Sequence, residues 1–179
     1  MTEYARVYGS SLYDLAAEEQ LTTEILEEMR EIKQIFRDNP DYMKLLNEPS
    51  VKKDERLKMI EDAFGSQAQR YLVSFLKLLC ERGLLREYEG CLEMFKQRYN
   101  KDHGIEEAVV TSAVKLNDTQ LAALKAKLEK MTGKTVEVIC RIDPRVVAGL
   151  KVELEGNELD GSVEGRLTGI SRKLSETIM

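Results

Sequence analysis

The stretch Arg98–Leu116, "RYNKDHGIEEAVVTSAVKL", carries two periodicities separated by one glycine. Up to His103 the apolar side chains return every three or four residues, as Leu92, Phe95 and Tyr99 do, which is one face of a helix. Beyond Gly104, "EEAVVTSAVKL" alternates loosely and is rich in Val and Thr, the pattern of a strand. The glycine marks a change of architecture. The expected fold is mainly α with a smaller α+β part: an N-terminal six-helix bundle over 1–104, then a C-terminal domain over 105–179 of a short sheet and two helices.

Before the glycine the chain reads as helix after helix. Ala5, Tyr8, Leu12 and Leu15 share a stripe, and so do Ile25, Met29, Ile32 and Phe36. Asn39-Pro40 ends the second helix and opens a short third one, with Asn39 expected as its cap. Ser50 is expected to cap the fourth helix, which stops at Gly65, and Ser66 the fifth, which stops at Gly83. The fifth is apolar nearly all round: Tyr71, Leu72, Val73, Phe75, Leu76, Leu78, Leu79 and Cys80 leave little polar face. Such a helix is either central in the core or has a face left for a partner.

After the glycine, "NDTQLAALKAKLEKMTG" is a helix with capping-box spacing at Asn117 and Gln120 and a stripe of Leu121, Leu124, Leu128 and Met131. A second strand alternates Val136, Val138 and Cys140 inward. A third alternates Leu150, Val152 and Leu154, with a turn at Gly156-Asn157. A last helix is expected from Ser162 through Val163, Leu167, Ile170 and Leu174.

Charge and motifs exclude more than they assign. The 179 residues carry a net charge of -5, which argues against a nucleic-acid partner. No window of membrane-spanning length is free of charge, and the N-terminus has no apolar targeting segment, so a cytoplasmic, bacterial setting is expected. The three cysteines, Cys80, Cys91 and Cys140, lie at no metal-ligand spacing and read as reduced packing residues. His103 alone cannot build a multi-histidine metal site; at a helix end it suits the last carbonyls. "DGSVEGRL" has Gly161 and Gly165 but neither a dinucleotide nor a Walker pattern, and its acids would repel phosphate. Ser162 lacks the GxSxG context of a nucleophile. No catalytic, cofactor or metal site is expected, which favours a binding role.

Two motifs carry a family resemblance. "YARVYGSSLYDLA" (Tyr4–Ala16) is similar to the first helix of the delta subunit of bacterial F-type ATP synthase, a relative of the mitochondrial oligomycin-sensitivity-conferring protein. "CRIDPRVVAGLKVELEGNELDGSVEGRLTGI" (Cys140–Ile170) resembles that family's C-terminal pattern, and the order of helices then mixed structure fits over essentially the whole chain. Ser10 and Ser11 depart from the alanines common there. The resemblance implies a non-catalytic stator subunit that joins the catalytic head to the peripheral stalk on the cytoplasmic face of the membrane, held there only through the complex. It implies that the bundle grips the N-terminal helix of an alpha subunit in a groove between the first and fifth helices, lined by Tyr4, Tyr8, Ser11, Ser74, Lys77 and Leu78. It implies that the C-terminal part holds the b subunits, with Gly149, Asp160, Gly161, Ser162, Val163, Arg166 and Leu167 at that junction. The competing expectations are a stand-alone helical adaptor for another amphipathic helix, and an enzyme built on the Ser162 turn.

Overall fold

A computed structural model describes residues 1–146, 150–154 and 157–160, the last four by their backbone. The chain divides into two compact units, Met1–Tyr99 and Asn100 onward, the division falling in the last turn of the sixth helix.

The first unit holds α1 (Glu3–Glu18), α2 (Thr22–Asp38), α3 (Pro40–Leu46), α4 (Lys53–Phe64), α5 (Arg70–Glu81), a single 3-10 turn (Leu85–Glu87) and most of α6 (Tyr88–Asp102). One core joins them, from Ala5 and Leu12 of α1 through Ile25 and Met29 of α2 to Leu72, Leu76 and Leu79 of α5 and Phe95 of α6. Phe36 stands edge-on to both Phe64 and Tyr88, with ring centroids 6.0 and 5.3 Å apart. The Tyr88 hydroxyl donates to the Met29 carbonyl at 3.1 Å, so this buried ring also fixes α6 against α2. Burial holds that phenol well above its ordinary pKa.

Helices α1 and α6 meet through small residues. A Cβ on Gly9 would stand 2.5 Å from the Cys91 carbonyl oxygen, and one on Gly90 would stand 2.7 Å from the Ala5 Cβ. Glycine is required at this crossing for space, not for backbone freedom.

Three expected caps are made differently. Asn39 holds the N-cap position of α3 as expected, but makes no side-chain cap bond there; its side-chain amide donates to the Ile35 carbonyl at 2.9 Å and closes α2. Ser50 lies two residues ahead of Lys52, the N-cap position of α4, and its hydroxyl donates to Glu48. Ser66 sits in the turn after α4, while α5 begins at Arg70 behind Gln69. The Gln69 amide donates to Glu28 Oε2 of α2 at 2.8 Å, so a carboxylate from another helix does the work of a local cap.

The second unit is a β1–α7–β2 crossover extended by a hairpin. β1 (Ile105–Ser112) pairs in parallel with β2 (Thr135–Ile142), with Ile105 opposite Thr135 and Ser112 opposite Ile142. A parallel pair needs a crossover, and α7 (Asp118–Thr132) supplies it. Its capping box forms as the sequence predicts: the Gln120 amide donates to Asn117 Oδ1 at 2.8 Å, and the Asn117 amide donates back to Gln120 Oε1 at 3.0 Å. Gly133 ends it at φ 70°. β3 (Leu150–Leu154) lies antiparallel to β1 on its other side, and β4 (Asn157–Asp160) pairs with β3, giving the order β2-β1-β3-β4. The fourth strand is absent from the sequence reading, which takes Asn157 onward as turn and helix entry. The local core is Ala108, Val110, Leu128, Val136 and Val152. Two expected inward residues are exposed instead: Met131, at the last turn of α7, and Cys140, on the far half of β2. β2 is an edge strand, and exposure rises along it, from buried Val136 through half-buried Val138 to exposed Cys140.

Candidate partner-binding site

Which apolar side chains does the helical unit leave outside its core? On α1 the buried stripe is Ala5, Gly9, Leu12, Tyr13 and Ala16. A helix with that face inward turns Tyr4, Val7 and Ser11 outward, at spacings of three and four. Tyr4 is 60% and Val7 53% exposed, although a soluble helix usually offers such positions to charge. Tyr8 stands at the border, half-buried against the core. The Ser11 hydroxyl donates to the Val7 carbonyl at 2.9 Å, so its polar group is folded back onto the helix and the face is less polar than its sequence suggests.

On α5 the buried set is Leu72, Val73, Phe75, Leu76, Leu79 and Cys80. Ser74 and Leu78 are exposed, four residues apart, and Tyr71 is half-exposed one turn earlier. Arg70 lies over the Tyr71 ring at 4.6 Å from its centroid, which holds that ring at the surface. Helices α1 and α5 pack against each other, so these two exposed sets belong to neighbouring helices. Lys77 turns elsewhere: its ammonium pairs with Glu61 Oε2 of α4 at 2.6 Å. Of the six expected groove residues, Tyr4, Ser11, Ser74 and Leu78 are thus exposed, Tyr8 is on the border, and Lys77 is tied to α4. Val7 on α1 and Tyr71 on α5 are likewise left partly or wholly outside the core and are absent from the sequence-based set. The signal for Val7 was available in its spacing from Tyr4 and Ser11.

The expected C-terminal set is less accessible. Gly149, Gly161, Ser162, Val163, Arg166 and Leu167 lie outside the described residues, as does the expected last helix. Asp160 closes β4 opposite Lys151. The start of that motif is described. Asp143 accepts from the Arg145 amide at 3.0 Å and from Arg145 Nη2 at 2.8 Å, and these bonds hold its carboxyl below the ordinary range. Its own amide donates to the Ser112 carbonyl at 3.0 Å, so "IDPR" ties the end of β2 to the end of β1.

Among the described residues, no group of three or more His, Cys, Asp or Glu side chains is placed to hold a metal ion, and no helix is long and apolar enough to cross a membrane. Cys80 and Cys91 are buried in the helical unit, and burial raises both thiols, Cys91 to about 12. A thiol held neutral in this way is a packing group. His103 is exposed in the turn after α6.

A model of the ATP synthase delta (OSCP) subunit family matches residues 4–174. The chain is 30% identical over 172 residues to the ATP synthase subunit delta of Anoxybacillus flavithermus, covering 96% of each chain. It is 30% identical over 168 residues to that of Lactiplantibacillus plantarum, covering 93% of this chain and 92% of the other. It is 28% identical over 171 residues to that of Lachnoclostridium phytofermentans, covering 95% and 94%. In fold it is similar to a chain of the Toxoplasma gondii mitochondrial ATP synthase hexamer, with a TM-score of 0.76 at 16% identity over 97% of this chain and 98% of that one. The chain belongs to the ATP synthase delta (OSCP) subunit family.

Proposed function

We propose that this chain is a non-catalytic stator subunit of an F-type ATP synthase, linking the catalytic head to the peripheral stalk and resisting rotor torque during proton-driven ATP synthesis. The helical unit, read as the family's six-helix bundle over 1–104, receives the N-terminal helix of an alpha subunit. The α+β part over 105–179 holds the b subunits. The chain itself needs no cofactor and no membrane segment; its place at the cytoplasmic face comes from the complex.

The observation that carries the reading is the surplus of exposed apolar side chains on the neighbouring helices α1 and α5. Tyr4 and Val7 on one and Leu78 on the other are not used by the core. An amphipathic helix laid along them buries its own apolar stripe against that surplus. Tyr8 contributes area and a polar tip at the border of such a contact. Lys77, tied to Glu61, then shapes the edge of the site through α4 and is not a direct contact.

The test is calorimetric titration of the full-length chain with a synthetic peptide of the alpha subunit's N-terminal helix. Saturable one-to-one binding is expected. It should weaken at least about tenfold, or ~1.4 kcal/mol, in Leu78→Glu and in Tyr8→Ala. Thermal melts of both variants separate lost contact from lost fold. Absence of heat at two temperatures from a folded chain would remove this role from the bundle and favour a helical adaptor for some other segment.

A further inference from the structure

We propose that the cleft between α2 and α6 is a second docking site, separate from the α1–α5 surface, and that its occupant is an acidic amphipathic segment of a partner polypeptide. Arg30, Lys33 and Arg37 recur on α2 at spacings of three and four, so they share one face. Lys33 and Arg37 line a hollow of about 390 Å³ together with Arg86, over a floor that includes Phe36 and Met43. Arg30 and Lys96 line a second hollow of about 500 Å³, over Leu92. Lys33 and Glu89 belong to both hollows and pair at 2.6 Å. The two hollows therefore adjoin, one on either side of this ion pair, and together make up the trough. The buried Tyr88 ring and its bond to the Met29 carbonyl give this trough a fixed floor.

The charge of the trough opposes that of the chain. Five cations (Arg30, Lys33, Arg37, Arg86 and Lys96) face Glu89 and Glu93, on a protein of net charge -5. Arg30, Arg37 and Arg86 form no ion pair with another described residue. Arginines keep their charge at any working pH and take carboxylates in fork geometry. Those that no neighbour uses are free to take them from a partner.

The shape decides among acidic occupants. A bilayer is flat and does not enter a trough. A phosphate chain would carry its charge past Glu89 and Glu93, which lie along the same path. A small anion leaves most of the length empty. A polypeptide segment can place carboxylates opposite the arginines and an apolar side chain over Met43 and the rim of Phe36, while passing the two glutamates with neutral residues.

The probe is a fluorescein-labelled synthetic peptide of repeated Leu-Glu-Glu-Leu blocks, followed by fluorescence anisotropy with the full-length chain. Saturable binding that weakens as salt rises is expected. The double variant Arg30→Glu, Arg37→Glu should weaken it at least about tenfold. Both residues are exposed, and a thermal melt checks that the variant folds. Leu78→Glu should leave it unchanged, which separates this trough from the α1–α5 surface. The proposal is overturned by absence of saturable binding, by binding that the double variant retains, or by binding that Leu78→Glu abolishes. Displacement of the peptide by inorganic triphosphate, or by vesicles of anionic lipid at matched charge, would make the site one for small anions or for membranes and would equally overturn it.

Discussion

In the helical unit Tyr13 meets Phe95 edge-on at 5.1 Å, and Phe36 meets Phe64 and Tyr88 in the same manner. In the sheet unit the comparable positions are Ala108, Val110, Val136 and Val152, closed by Leu128 of α7. All seven tyrosines and all four phenylalanines fall between Tyr4 and Tyr99, and the chain has no Trp. Large rings bury much area each and pack in specific geometries, so the first unit closes its core with side chains to spare. Tyr4, Val7 and Leu78 are that surplus. The described part of the sheet unit closes on small aliphatic residues, and local devices accompany that core: the capping box of α7, the left-handed Gly133, and the solvent-exposed Asp143–Arg145 pair.

The distribution of aromatics also supplies separate probes. Tyrosine fluorescence reports the helical unit. A fluorophore on Cys140, the exposed thiol, reports the sheet unit, because Cys80 and Cys91 are buried. The largest effect is expected from Phe95→Ala, about 3–5 kcal/mol in a core of this density, read as an earlier tyrosine transition in urea. Val136→Ala should cost about 1–3 kcal/mol and move the Cys140 transition. If Val136→Ala proved the costlier of the two, the contrast between the cores would be broken.

Gly9→Ala comes next. The added methyl would stand 2.5 Å from the Cys91 carbonyl oxygen, which is backbone and cannot rotate away. An overpacking cost of about 1–3 kcal/mol is expected on the tyrosine transition. Gly83→Ala is the instructive partner: nothing lies within 4 Å of its Cβ position, and its φ of 68° makes the strain conformational instead. Below these stands Asn117→Ala, which removes one arm of the capping box and should cost about 1 kcal/mol, seen by the Cys140 probe.

What the sequence disclosed follows the range of the interactions involved. Pro40, Gly83, Gly104 and Gly133 punctuate the chain through their own backbones, and the elements end beside them. The Asn117–Gln120 box spans three residues and was readable for the same reason. The starts of α3, α4 and α5 were only partly legible: α3 and α4 carry no side-chain cap bond, and α5 draws on a partner elsewhere. Asn39 has a choice of two helices, and α5 takes Glu28 from 41 residues away. β4 was missed because Asn-Glu-Leu-Asp has no alternation of its own and pairs only because β3 lies beside it. Cys140 and Met131 sit on the expected periodicity, but period gives a face and not the length over which it is covered. Of the candidate surface, the excess of apolar residues on α5 was legible. That α1 is the neighbour of α5 is a tertiary fact, and in the sequence only the family resemblance pointed to it.

The smallest effect, and the one that tests the helical unit's reliance on long-range caps, concerns Glu28. Its carboxyl is raised above the ordinary 4.5, first by burial and further by Glu31 and Glu24, while the bond from the Gln69 amide works the other way. A carboxyl with a raised folded pKa holds its proton to higher pH in the folded chain than in the unfolded one. Stability from this group is therefore lost as pH rises through the interval just above 4.5 and is level beyond it. Glu28→Gln removes the charge and keeps an oxygen to accept from Gln69. Relative to the parent, the variant should gain stability as pH rises through that interval and hold the gain at neutral pH. Glu28→Ala loses the acceptor at the start of α5 and should be less stable than Glu28→Gln at every pH. Urea midpoints from tyrosine fluorescence, taken across the acidic range, measure both. A Glu28→Gln chain less stable than its parent at neutral pH would mean that the ionised carboxylate, at the positive end of α5, is worth more than its burial costs.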